Sequence, residues 1–99
     1  PAAQILLQYC TEALPKGASL LELGAGTGWF GLQLCQARAD ITACLTEMSA
    51  HGAFERLGTN LAANARARGL RQQPTCRTLD WADADLPHGS WDYVVGSDL

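Results

Sequence analysis

Three glycines at alternate positions, Gly24, Gly26 and Gly28, follow an apolar segment that carries a single acid, Leu20-Leu21-Glu22-Leu23. A turn without side chains at those positions lets backbone approach a bulky ligand. A β-carbon at any of the three would fill ligand space or forbid the dihedrals the turn requires. A helix is expected next, from about Gly28 to Arg38, with its N-terminal amides aimed back at the turn. Three further apolar segments also run into acids: Glu47, then Asp80-Trp81, then Ser97-Asp98. Glu47 stands 21 residues after Gly26. A carboxylate there can accept two hydrogen bonds from the vicinal hydroxyls of a ribose.

The elements that must position these residues alternate in type. Residues 1–14 read as a helix with Ile5, Leu6, Tyr9, Ala13 and Leu14 on its apolar face, stopped by Pro15-Lys16-Gly17. Residues 19–23 form a strand that is apolar on both faces, as a covered parallel sheet demands. A second strand spans 41–46. The helix from about 50 to 68 has Phe54, Leu57, Leu61 and Ala65 as its buried stripe, with Gly69 at its stop and Gly58 as an interior weak point. Strands at 75–79 and 91–96 flank an acidic loop. The order predicts an α/β fold, a doubly wound parallel sheet with helices on both faces and ligands beyond the carboxyl ends of the strands.

The 99 residues allow one small domain at most. With Pro1 at the start and an apolar strand just before the end, the chain reads as the N-terminal part of a larger domain, cut at both ends. A net charge of -3 gives no general attraction to nucleic acid or to an anionic membrane. Arg56, Arg66, Arg68 and Arg71 are expected on a solvated helix face. No apolar run approaches the roughly 20 residues of a membrane helix. Cys10, Cys35, Cys44 and Cys76 lack metal-ligand or redox spacing and fall in apolar patterns, so buried reduced thiols and a reducing compartment are expected. His51 and His88 are expected to face solvent, and no metal site or nucleophile–base set can be read.

Gly26-x-Gly28-x-x-Gly31 also has the spacing of a dinucleotide-binding turn, and spacing alone leaves NAD or FAD open. Two details oppose it. Gly24 already follows the strand, which would leave Gly31 inside the helix, and Glu22 suits a ligand with an amino-acid tail better than a pyrophosphate. Each acid also has a plainer alternative: a loop acid at Glu47, a buried capping acid at Glu22, a turn residue beside a half-buried indole at Asp80-Trp81, and a helix N-cap at Asp98.

The glycine turn resembles the adenosylmethionine-binding turn of the class I, Rossmann-like methyltransferases. Leu45-Thr46-Glu47, Asn60-Leu61-Ala62-Ala63-Asn64, Thr78-Leu79-Asp80-Trp81 and Trp91-Asp92-Tyr93-Val94-Val95-Gly96-Ser97-Asp98 narrow the resemblance. Together they are similar to family-16 methyltransferases, the protein lysine methyltransferases related to the methyltransferase-like 21 group. The resemblance covers nearly the whole chain. It departs in two ways: Glu47 stands where Asp is commoner, and the family's Asp-x-x-Tyr after the fourth strand goes only as far as Asp98-Leu99. The resemblance implies S-adenosyl-L-methionine as cofactor, contacted by Glu22, Gly24, Gly26, Gly28, Glu47, Asp80 and Trp81. Asp98 would orient a lysine amine of a protein substrate. No nucleic acid or membrane partner is implied, and a cytoplasmic or nuclear site is expected. Another class I methyltransferase, or a silent binding module, stays open.

Overall fold

The computed structural model describes residues 2–80 and 91–96. In chain order the elements are α1 (Ala2–Ala13), β1 (Ser19–Leu23), α2 (Trp29–Ala37), β2 (Thr42–Glu47), a 3-10 turn (Ala50–Gly52), α3 (Ala53–Arg68), β3 (Thr75–Thr78) and β4 (Tyr93–Gly96). The four strands form one sheet, ordered β3-β2-β1-β4, in which every pairing is parallel. Strand order reverses between β1 and β4, so the switch point of this Rossmann-like α/β sheet falls at the carboxyl end of β1. The glycine turn begins there.

Neighbouring residues of a strand point to opposite faces, which explains the unbroken apolar run of β1. Leu20 packs with Ala43 and Leu45 against Cys10 of α1 and Leu14 just past it, Phe30 and Leu34 of α2, and Leu57, Leu61 and Ala65 of α3. Leu21 faces the other way, in a second cluster with Cys44 and Leu79 that Leu23 and Trp91 flank. All three described helices therefore feed one face of the sheet.

Several boundaries and part of one face differ from the sequence reading. Of the expected face of α1, Leu6 is partly covered and Leu14, just past the helix, is buried, but Ile5 and Tyr9 are exposed by 71% and 67% and Ala13 is exposed as well; the helix buries Cys10, with Leu7 partly covered. Ile5-Tyr9 and Leu6-Cys10-Leu14 are both i, i+4 stripes, about 100° apart on the helix. Docking selected the second. The expected helix at 50–68 is broken near its start, because His51 and Gly52 both hold positive φ, 60° and 73°. β2 starts one residue later than expected, although Ile41 is fully buried. β4 starts at Tyr93, since Asp92 is engaged elsewhere: its Oδ2 accepts from the Ser19 amide and its own amide donates to Ser19 Oγ. That reciprocal pair ties the amino ends of β1 and β4 together.

The arginines do not act as one patch. Arg68 donates to Gln33 and Gln36 of α2, and Arg56 donates to the His51 carbonyl. Arg38, which the sequence did not single out, clasps the end of α1. Its guanidinium makes a two-pronged ion pair with Asp40 and also donates to the carbonyls of Thr11, Leu14 and Pro15. Thr11 is among the last carbonyls of α1, which a helix C-terminus leaves without an intrahelical donor. Asp40 in turn accepts from the Gly17 amide, and its carboxyl is held well below the usual carboxylate range by the Arg38 hydrogen bonds and that amide. All four cysteines are free thiols, with Cys10, Cys35 and Cys44 buried and Cys76 half-buried. Burial pushes the Cys35 thiol up to about 11. No described helix is long and apolar enough to cross a membrane.

Candidate cofactor site

The glycine turn is stapled to the end of β2. Ala25 donates its amide to the Thr46 carbonyl at 2.9 Å, and Gly26 donates to Glu47 Oε2 at 2.9 Å. Thr46 is fully buried, and its hydroxyl donates to the Glu22 carbonyl at 2.6 Å. Gly24 and Gly26 take φ of 63° and 61°, a conformation in which a β-carbon is strained, and a β-carbon on Gly26 would meet open space. Empty space at a strained, side-chain-free turn is what a ligand approaching backbone requires.

Gly28 and Gly31 need their missing side chains for a different reason. A β-carbon on Gly28 would stand 2.7 Å from Leu61 Cδ2 and 3.1 Å from Leu57 Cδ1. The amide of Gly28 is already given to Ala25, and its carbonyl accepts from Leu32. One on Gly31 would run into Leu45. The first lets α2 approach α3, and the second lets α2 approach β2. Gly28 also starts α2 with no side-chain cap, so the first-turn amides of the helix keep their donors for a partner.

Glu47 is half-buried. Its two oxygens accept one backbone amide each, Gly26 at Oε2 and Met48 at Oε1. A carboxylate has about four acceptor directions, so roughly two remain for hydroxyl donors. Asp80 is brought to the same strand end, where it accepts from the Ser49 amide at 3.0 Å and the Ser49 hydroxyl at 2.9 Å. The Leu79 amide donates to the Glu47 carbonyl and fixes the spacing of the two acids. Ser49 carried no signal in the sequence, since its partner lies 31 residues away.

Glu22 is the unusual member. Its side chain is on the helix-covered face of β1, its residue is only 3% exposed, and Oε1 has no hydrogen-bond partner among the described residues. Burial, and secondarily the Glu47 charge, raise its pKa from the ordinary 4.5 to about 8. The same carboxylate adds to burial in raising the Cys10 thiol of α1. Glu22 lines a pocket of about 280 Å³ together with Ala3, Gly24, Ala25, Gly26, Thr27, Trp29 and Phe30. Ala3 and Trp29 were not foreseen. A larger hollow of about 440 Å³ lies near the amino ends of β1 and β4, lined by Pro15, Lys16, Gly17, Ala18, Asp92 and Tyr93. Sheets of this topology bind ligands at the opposite end, where the acids and the glycine turn gather.

Of the residues expected at the site, Glu22, Gly24, Gly26, Glu47 and Asp80 converge on the carboxyl ends of β1, β2 and β3. Trp81 and Asp98 lie outside the described residues, as does His88. His51 is exposed, as expected. Among the described residues no group of His, Cys, Asp or Glu could hold a metal ion.

The fold is the one that solved S-adenosylmethionine-dependent methyltransferases share. A family model described as lysine methyltransferase matches residues 1–99 of the chain, and the chain belongs to that family, methyltransferase family 16. Solved structures agree in fold. Coclaurine N-methyltransferase, bound to N-methylheliamine and SAH, is 21% identical with a TM-score of 0.70, over 95% of this chain and 26% of its own. The apo methyltransferase SibL is 20% identical with a TM-score of 0.70, over 97% of this chain and 27% of its own. PKMT2 from Rickettsia typhi, in complex with AdoHcy, is 22% identical with a TM-score of 0.59, over 81% and 14%. The chain thus spans about a quarter or less of the length of these relatives.

Proposed function

We propose that this chain is the cofactor-binding part of an S-adenosylmethionine-dependent methyltransferase that acts on a lysine side chain of a protein. One observation carries the reading. A strained glycine turn is closed onto Glu47 by the Gly26 amide, and in the same pocket the buried Glu22 leaves one oxygen without a donor. An adenosyl amino acid offers the complementary groups: ribose hydroxyls for the free acceptor directions of Glu47, and an ammonium for Glu22. Its carboxylate matches the uncapped amides at the start of α2, where the helix dipole favours an anion. Asp80, with Trp81 beside it in sequence, would take the adenine amine and ring.

When bound, the cofactor supplies an electrophilic methyl on a sulfonium, so no covalent enzyme intermediate is required. The tasks left to the protein are to orient a nucleophile and exclude water. Asp98 is our candidate for orienting the amine, two residues past Gly96 at the end of β4. Gly96 pairs in register with Leu23, immediately before the glycine turn. A lysine amine must shed its proton before it attacks, and desolvation beside a sulfonium favours that. The lysine and protein character of the substrate rests on family membership. The fold alone is shared with enzymes whose substrates are small molecules.

The test is titration calorimetry on the full-length protein with adenosylhomocysteine and NADH, using wild type and Glu47→Ala. Saturable adenosylhomocysteine binding is expected, weakened about tenfold or more in the variant, the worth of hydrogen bonds to a charged group. Binding of NADH alone would sink the reading.

A further inference from the structure

We propose that Glu22 is a proton-coupled receptor for the cofactor's ammonium group, neutral while the pocket is empty and ionised when the amino-acid tail is seated, so that binding expels one proton. The inference rests on the adenosylmethionine reading above and adds to it a stoichiometric proton. Glu22 Oε1 is buried without a donor, yet its residue lines the pocket beside the glycine turn. The titratable groups that bear on it among the described residues are the Cys10 thiol from α1 and the Glu47 carboxylate at the end of β2. From α2 the pocket receives Trp29 and Phe30, and from β4 the register neighbour is Val95. None of these is cationic. A carboxylate in such surroundings is penalised by desolvation and by a like charge, and the neutral acid is the favoured form. Glu47 differs, since both its oxygens accept backbone amides that stabilise its charge.

An arriving ammonium changes the balance at one atom. The Glu22 carboxyl loses its proton to solvent, and the carboxylate accepts an N–H from the ammonium as an ion pair. Charge balances, because one cation enters the pocket and one proton leaves it. The coupling also makes Glu22 a specificity element. A ligand lacking the amino-acid tail gains nothing from ionising it.

The experiment is calorimetry of adenosylhomocysteine binding to the full-length protein near pH 6.5, in two buffers of different ionisation enthalpy. At that pH an α-amino group, with a pKa of about 7.7–8.0, is already charged and adds little to the count. Wild type should release about one proton per adenosylhomocysteine bound. The Glu22→Gln variant should bind more weakly and release none. Should that variant fail to fold, 5′-methylthioadenosine serves on the wild type: it keeps the nucleoside and sulfur, lacks the amino-acid tail, and should bind without proton release. Adenosylhomocysteine binding with no proton released overturns the inference and leaves the cofactor reading intact. Equal release with 5′-methylthioadenosine also overturns it, by assigning the proton to another group. Failure of the wild type to bind adenosylhomocysteine at all overturns both.

Discussion

At the scale of single residues, Glu22 has a consequence for stability that needs no ligand. An unfolded glutamate ionises near 4.5, and this one near 8 in the folded chain. Between those values the folded state keeps a proton that the unfolded state has released. The stability contribution of Glu22 is therefore complete below about pH 4.5 and is lost as pH rises to about 8, by a few kcal/mol in all. Glu22→Gln stays neutral throughout and escapes the loss. Denaturant titrations of the ligand-free protein should find variant and wild type closely matched near pH 5, with the variant more stable at pH 8. A gap that is the same at every pH would mean that Glu22 is already charged in the folded state. Glu47 answers differently to mutation, because it serves the fold as well as the ligand. Removing its carboxylate frees the Gly26 amide and loosens the turn, so part of any affinity lost in Glu47→Ala comes from the turn's geometry.

At the scale of elements, two glycines inside helices make opposite predictions. Gly31 sits in α2 directly over Leu45, which is fully buried. Gly31→Ala should destabilise by about 1–3 kcal/mol through overpacking. Gly58 lies inside α3 with helical backbone, and the nearest neighbour of an added β-carbon is Cys76 Sγ at 4.0 Å, an ordinary contact. Gly58→Ala should stabilise by up to about 1 kcal/mol, and paired thermal melts of the two variants check both signs. The weak point at Gly58 was legible because helix propensity is local. The turn and the acids at strand ends were legible too, since each acid breaks an apolar run and the glycines announce backbone dihedrals. The face of α1 was not, because Ile5-Tyr9 and Leu6-Cys10 obey the same period and only docking separates them. The break at His51-Gly52 was missed, although Gly52 is of the type that takes a positive φ most readily, because the apolar stripe of the helix runs on from Phe54 without marking where it starts. The reach of Asp80 to Ser49 and of Arg38 to the end of α1 are tertiary contacts, which a single sequence leaves unwritten.

At the scale of the whole molecule, the parallel sheet separates two kinds of work. The Ser19–Asp92 pair holds the amino ends of β1 and β4, while the carboxyl ends carry the turn and the acids. Helix α1 spans the difference. Its C-terminal end is clasped by Arg38 through the carbonyls of Thr11 and, just past the helix, Leu14, while Cys10 in its last turn bears on Glu22 and Ala3 in its first turn lines the Glu22 pocket. The clasp and the burial of Glu22 thus share one helix, and loosening the first is expected to loosen the second. Arg38→Ala removes the donors from those carbonyls and leaves Asp40 without its partner. Amides in the last turn of α1 should then exchange faster with solvent, and local opening should admit water to Glu22. A hydrated Glu22 ionises closer to its ordinary range. The pH-dependent gap in stability between Glu22→Gln and its parent should accordingly shrink in an Arg38→Ala background. An unchanged gap, with exchange in α1 accelerated, would show that the burial of Glu22 is set by β1 and α2 without help from α1.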